Sequence, residues 1–176
     1  RLASTSGIEQ TAEGDSIGGR RVELDSGDAI TGVRTQITDH PDAGLNANAS
    51  RSIEIEQVGS EPLPIESVTS SARYPVHLKS GGGMLVASDF NGQLNLKGGK
   101  VTLDGGTGNI GNSDDYLTID AGSRTTDKLN ATATQGIYLK EWSDNLYIES
   151  IDAEQGNVGI QVLSGTLIDA NDNQVV

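Results

Sequence analysis

Carboxylates are the side chains of this chain whose types and spacing could do chemistry. The acidic positions that could supply a catalytic pair are Asp114, Asp115, Glu141, Asp144, Asp152 and Glu154. Two carboxylates that flank a bound sugar can act as acid and base, or as acid and nucleophile, in glycoside cleavage. A cleft for that chemistry is normally lined with aromatic rings, yet aromatic residues make up only 3 % of this chain. We therefore expect a solvated acidic surface and no enzyme, with a polysaccharide lyase or glycosidase as the alternative.

Candidate metal ligands stand near the end of the sequence. Asp169, Asn171 and Asn173 follow the first three ligand spacings of a calcium loop. Gln174 occupies the place of the turn glycine, and no bidentate glutamate follows. The glycine-rich residues 105–110 begin like a calcium-binding nonapeptide, but Ile110 stands where an aspartate is needed. We expect no bound metal and no cofactor, and these three residues remain the metal candidates.

Composition removes several other classes of function. The 176 residues include 25 acidic and 12 basic side chains, a formal net charge of −13 that repels nucleic-acid phosphates. No apolar run reaches the ~20 residues that a membrane-spanning helix needs. Cysteine is absent, which excludes disulfides, thiolate metal sites and a cysteine nucleophile. We expect neither a nucleic-acid partner nor a membrane span.

Short runs of alternating apolar and polar residues dominate the chain. Such alternation places the apolar side chains on one face of a strand, and Gly, Asn, Asp or Ser bound the runs as turn residues. No segment has convincing helical periodicity. The runs are residues 22–24, 53–55, 76–78, 94–96, 101–103, 117–119, 137–139, 146–148 and 158–162. Their spacing is typical of an all-β sandwich, barrel or solenoid.

An internal repeat favours the solenoid. Residues 44–55 resemble residues 128–139, with Leu45 and Leu129 84 positions apart. The segments 65–68 and 76–81 recur as 148–151 and 160–165. Upstream, residues 22–27 align with 117–122 only if about ten residues are inserted, as solenoid repeats allow. We interpret residues 1–176 as a single β-solenoid segment with two degenerate repeats, about 15–99 and about 107–176.

The repeat makes specific predictions about the interior. If a coil takes roughly 20 residues, the chain forms about eight or nine coils joined by parallel ladders. Four pairs of residues are then predicted to occupy equivalent inward positions: Leu45 with Leu129, Ile53 with Ile137, Ile65 with Ile148, and Leu78 with Val162. A β-sandwich is the alternative fold, and antiparallel hairpins between neighbouring runs would distinguish it.

The second half of the chain contains a series of short blocks: residues 108–111, 116–121, 136–139, 145–148, 156–158 and 165–172. These blocks resemble the repeats of filamentous-haemagglutinin-like secreted bacterial adhesins. The resemblance covers residues 100–176 well and residues 14–99 as a degenerate copy. It implies a right-handed parallel β-helix, found outside the cell or on the bacterial surface, that acts as a shaft displaying distal binding regions.

The resemblance also implies partners. A shaft contacts neighbouring coils of the same or an adjacent chain, and a host surface or carbohydrate is its expected ligand. The sequence contains no Asn-Pro, the dipeptide of the family's secretion-domain motif, so we expect an internal shaft segment. A carbohydrate-active, tailspike-like segment and a subunit of an extracellular fibre are the alternatives.

Overall fold

The chain winds as an all-β solenoid of about 7 turns, with 2 % of its residues helical. The computed structural model describes residues 1–10, 14–38, 40–71 and 74–171. Its strands, in chain order, are β1 (Leu2–Ser4), β2 (Ile8–Glu9), β3 (Ile17–Gly19), β4 (Arg21–Ser26), β5 (Ile30–Ile37), β6 (Gly44–Ala49), β7 (Ile53–Gln57), β8 (Leu63–Ser70), β9 (Val76–Ser80), β10 (Met84–Val86), β11 (Leu96–Lys97), β12 (Val101–Asp104), β13 (Leu117–Asp120), β14 (Lys128–Ala133), β15 (Ile137–Glu141), β16 (Leu146–Ala153), β17 (Val158–Val162) and β18 (Leu167–Asp169). One 3-10 turn, Ser88–Phe90, is the helical element of the described residues.

Apart from β3 and β10, successive strands alternate between two parallel sheets. The first sheet has the order β1-β4-β6-β8-β11-β13-β15-β17, with β10 also paired to β8. The second has the order β2-β5-β7-β9-β12-β14-β16-β18, with β3 also paired to β5. Every pairing in both sheets is parallel, from β1 with β4 through β16 with β18. The predicted solenoid is therefore confirmed, and the antiparallel sandwich is wrong.

Rows of aliphatic side chains fill the space between the sheets. On the first sheet one such row contains Leu24, Ala47, Val68, Leu96 and Ile119, each the ladder partner of the next. Each of these residues is buried. Stacking like on like removes apolar surface from water at about 25 cal/mol per Å², which is the main force that holds the coils together.

The coils are longer and less regular than predicted. Leu24 pairs with Ala47, 23 residues on, and Val68 pairs with Leu96, 28 residues on. The longer coil includes the 3-10 turn, which lies between β10 and β11. The predicted eight or nine coils are consequently too many for a solenoid of about 7 turns.

The internal repeat relates one sheet to the other. Leu45 lies on β6 of the first sheet, while Leu129 lies on β14 of the second. The other three predicted pairs are divided between the sheets in the same way. All eight residues face the interior, as predicted: six are buried, and Ile148 and Val162 are partly buried against the core. Their equivalence is wrong in one respect, because the two copies lie on opposite faces of the solenoid.

The offset between the copies is half a turn more than a whole number of turns. Strand β6 is the first-sheet strand of its coil, and β14 is the second-sheet strand three coils later. The structural counterpart of β4 is therefore β12, because Val22 pairs with Leu45 as Val101 pairs with Leu129. The sequence alignment of residues 22–27 with 117–122 is wrong at this point. The division into repeats at about 15–99 and about 107–176 stays a prediction.

Candidate functional site

A β-bulge places a buried glutamate on the first sheet. Leu45 pairs with Ile65 and Asn46 pairs with Ser67, so Glu66 is the extra residue of β8. A bulge turns the side chain of its extra residue away from the regular alternation. Glu66 is 3 % exposed and accepts a hydrogen bond of 2.6 Å from Nη2 of Arg21, which begins β4.

A glycine makes room for that carboxylate. A Cβ atom on Gly44, the first residue of β6, would lie 2.3 Å from Cγ of Glu66. Any side chain at position 44 would therefore displace Glu66. The local sequence is fitted to the buried ion pair as well as to the core.

The same unit recurs on the second sheet. Leu129 pairs with Ile148 and Asn130 pairs with Ser150, so Glu149 is the extra residue of a second bulge, in β16. Its carboxylate accepts a 2.7 Å hydrogen bond from Asn130 and lies 3.1 Å from Nζ of Lys100. Lys100 immediately precedes β12, as Arg21 immediately precedes Val22 in β4. We call each set of three stacked strands, with its bulged glutamate and its basic residue, a clamp. Strands β4, β6 and β8 carry the first clamp, and strands β12, β14 and β16 carry the second.

The two clamps differ in their electrostatics. Burial raises the pKa of Glu66 above its ordinary value, and the Arg21 guanidinium opposes that effect. For Glu149, the hydrogen bond from Asn130 and that from Lys100 lower the pKa. The difference follows from what covers each carboxylate, since Glu66 is buried beneath chain segments and Glu149 lies at the surface.

Two chain segments, residues 40–43 and 87–90, form a cleft above the first clamp. Its larger compartment, about 400 Å³, is lined by His40, Pro41, Ala43, Pro62, Pro64, Leu85, Val86, Ala87 and Ser88. A smaller compartment of about 200 Å³ lies beside it and is lined by Arg21, Pro41, Asp42, Ala43, Glu66, Ala87, Ser88, Asp89 and Phe90. Ser88 Oγ donates a 2.5 Å hydrogen bond to the carbonyl of Pro41, which ties the two segments together.

The carboxylates singled out in the sequence do not form one site. Asp114 and Asp115 lie in the loop before β13, while Asp152 lies on β16 of the other sheet. Glu154 lies just beyond β16 and accepts a 3.3 Å hydrogen bond from Thr134. Burial raises the pKa of Asp115, and Lys140 opposes it. Glu66, the buried carboxylate of the first clamp, was not among the residues predicted from the sequence. The recurrence of Ile-Glu-Ser at 65–67 and 148–150 was the signal that could have found it.

Glu141 is the exception among the predicted carboxylates, because it lies inside the solenoid. It pairs with Ile119 and Val162 and so occupies a position in a row of aliphatic residues. Backbone amides of Ala121 and Ser143 each donate a 3.3 Å hydrogen bond to its carboxylate. Burial nevertheless raises its pKa to about 7.

Two of the three metal candidates, Asp169 and Asn171, lie together in a turn. The amide of Asn171 donates a 3.1 Å hydrogen bond to Oδ1 of Asp169. Asn173 lies outside the described residues. Within residues 1–10, 14–38, 40–71 and 74–171, no group of three or more His, Cys, Asp or Glu side chains is placed to hold a metal ion.

The glycine-rich segment 105–110 forms a turn that stacks against the turns of neighbouring coils, and it does not complete a calcium loop. A Cβ on Gly108 would lie 2.0 Å from the carbonyl oxygen of Gly82 in the coil below. Asn109 accepts a 2.7 Å hydrogen bond from the amide of Gly136 in the coil above. Close approach of neighbouring coils therefore explains why glycine stands at position 108.

Comparison with protein-family models, curated proteins and solved structures finds no match for this chain. Among the described residues, no helix has the length and apolar character required to cross a membrane.

Proposed function

We propose that the chain is a structural module: a rigid segment of the shaft of a large secreted or cell-surface bacterial adhesin. Its work is mechanical, holding distal binding regions away from the cell. The observation that carries this proposal is the pair of uninterrupted parallel sheets, whose hydrogen bonds run along the axis from the first described coil to the last. A fold of this kind is compatible with β-helix repeat proteins.

The clamps support a mechanical role. Each places an ion pair across three stacked strands, Arg21 with Glu66 in one and Lys100 with Glu149 in the other. Because the clamps lie on opposite sheets, the solenoid is tied along both of its faces. The acidic surface, with a net charge of −13, discourages lateral association of such rods.

Further coils are the partner proposed for this segment. Val158 and Leu167 continue two inner rows, since they pair with Ile137 and Leu146, yet they are 48 % and 49 % exposed. A coil stacked on β17 and β18 would cover both side chains. That coil belongs either to the same polypeptide or to a neighbouring one, as in an extracellular fibre.

Location tests the proposal most simply. Antibodies raised against residues 1–176 should label intact cells of the producing organism, or detect the protein in the culture medium, because a shaft works outside the cell. Labelling that requires permeabilised cells, with no protein in the medium, would contradict it.

A carbohydrate-active segment is the competing class of function. Purified protein should release no reducing ends or unsaturated products from a panel of acidic and neutral polysaccharides. Degradation that the substitution Glu66→Gln abolishes, and that Glu149→Gln leaves intact, would replace the structural proposal with an enzymatic one.

A further inference from the structure

The two clamps are built alike, and a cleft lies over the first. Both have a bulged glutamate and a basic residue at the start of a strand of the same sheet. Residues 40–43 and 87–90 cover Glu66, which is buried, whereas Glu149 lies at the surface. Because the second clamp is complete without such covering segments, the cleft is an addition that stacking does not require.

The larger compartment presents an apolar surface of fixed shape. Pro64 and Leu85 are ladder partners on β8 and β10, and Pro41 lines the same compartment. Because proline has a fixed φ and lacks a backbone N–H, Pro41 and Pro64 form rigid walls that contact a ligand through apolar atoms. A volume of about 400 Å³ lies within the usual range of ligand pockets.

The smaller compartment is acidic. Its lining includes three carboxylates, those of Glu66, Asp42 and Asp89, and one guanidinium, that of Arg21. Arg21 is already engaged, at 2.6 Å by Glu66 and at 3.6 Å by Glu23. An anion would meet three carboxylates and a cation that is already paired. A cationic group is therefore the complementary ligand, and the net charge of −13 attracts it from a distance.

We propose that this cleft binds a partner polypeptide through a basic side chain adjacent to an aliphatic one. The ammonium or guanidinium group lies beside Glu66 and Asp89, and the aliphatic side chain rests on Pro64 and Leu85. This binding site does not depend on the structural role, because a rod of stacked coils needs no such cleft.

A peptide titration followed by amide NMR tests the site directly. The probe is acetyl-Leu-Lys-Leu-amide, added to ¹⁵N-labelled protein up to about 10 mM, which detects dissociation constants in the millimolar range. We expect the largest changes in amide chemical shift at Gly44, Leu85 and Ser88, which lie on or beside the cleft. The neutral peptide acetyl-Leu-Gln-Leu-amide should bind at least about tenfold more weakly, because it lacks the charge-assisted contact.

Matched variants separate the cleft from the clamp. Glu66→Gln should weaken binding of the lysine peptide about tenfold, since it removes the buried charge. Asp89→Asn changes an exposed rim residue and should weaken binding a few-fold, which keeps the test valid if Glu66→Gln lowers stability. Glu149→Gln removes the corresponding charge of the uncovered clamp and should leave binding unchanged.

Several outcomes would overturn the proposal. These are equal binding of the two peptides, no shifts at the cleft residues, or an equal effect of Glu149→Gln and Glu66→Gln. Shifts at the cleft produced by glucosamine, with none produced by the lysine peptide, would assign the site to an amino sugar and also reject a polypeptide partner.

Discussion

At the scale of single residues, Glu141 is the clearest case of a side chain whose polarity does not match its surroundings. A row of aliphatic side chains contains this one carboxyl group, which is 1 % exposed and lies near Asp120 and Asp144. Burial and these two carboxylates disfavour its charged form, which raises its pKa from an ordinary 4.5 to about 7. The protonated group is therefore the one that the folded state prefers.

This shift predicts a stability that depends on pH. The folded state holds the proton more tightly than the unfolded state, so Glu141 lowers the free energy of unfolding as pH rises from about 4.5 to about 7. The loss should be roughly 3 kcal/mol, and urea unfolding at pH 5 and pH 8 measures it. Glu141→Gln should remove this part of the pH dependence.

An exposed carboxylate provides the control for that measurement. Glu154→Gln changes a residue in an exposed turn and should leave the difference between pH 5 and pH 8 as it is in the unchanged chain. If Glu141→Gln and Glu154→Gln behave alike, the buried carboxyl group does not govern the pH dependence of stability.

At the scale of elements, the turns determine how closely the coils can stack. Gly81 and Gly82 form the turn after β9, and Gly106 and Gly108 form the turn after β12 directly above it. The backbone atoms of one turn approach those of the next too closely for a side chain at some positions. The turns are thus part of the axial packing, together with the aliphatic rows.

Gly108→Ala tests the contact between turns. Its Cβ would lie 2.0 Å from the Gly82 carbonyl oxygen, so the coils must separate locally, and we expect a loss of about 1–3 kcal/mol in the free energy of unfolding. Gly18→Ala is the matched control, because the nearest atom to its Cβ would be 3.7 Å away. Urea unfolding of both variants should show Gly18→Ala within about 0.5 kcal/mol of the unchanged chain. Equal stability of the two variants would mean that the turns do not limit stacking.

Sequence patterns predicted the elements better than their arrangement around the axis. Alternation identified the strands, and the inward direction of Leu45, Leu129, Ile53 and Ile137 followed from it. The half-turn offset could not be predicted, because the coil lengths vary and only the ladder partners reveal on which sheet a strand lies. The bulge at Glu66 was also hidden, since an extra residue breaks the alternation on which the interpretation depends.

The cleft depends on contacts that are distant in sequence. Pro41, Pro64 and Leu85 belong to three different coils and share no local motif. Only the stacking of β6, β8 and β10 brings them to one face. The sequence gives their chemical types, but not their proximity.

At the scale of the whole molecule, we expect the parallel coils to form a stiff rod. The row that faces away from the core of the first sheet runs from Glu23 through Asn46, Ser67 and Asn95, and then through Thr118 and Lys140 to Gln161. Neighbouring strands of a sheet are about 4.8 Å apart. The distance along this row therefore reports both the number of coils and their rigidity.

Pulsed electron paramagnetic resonance between spin labels on this row measures the length and the stiffness of the rod. The chain has no cysteine, so the pairs Glu23→Cys with Lys140→Cys and Glu23→Cys with Gln161→Cys can be labelled without background. Five and six strand spacings predict backbone separations of about 24 Å and about 29 Å, each with a narrow distribution. Broad distributions, or a second distance no longer than the first, would contradict a rigid parallel solenoid.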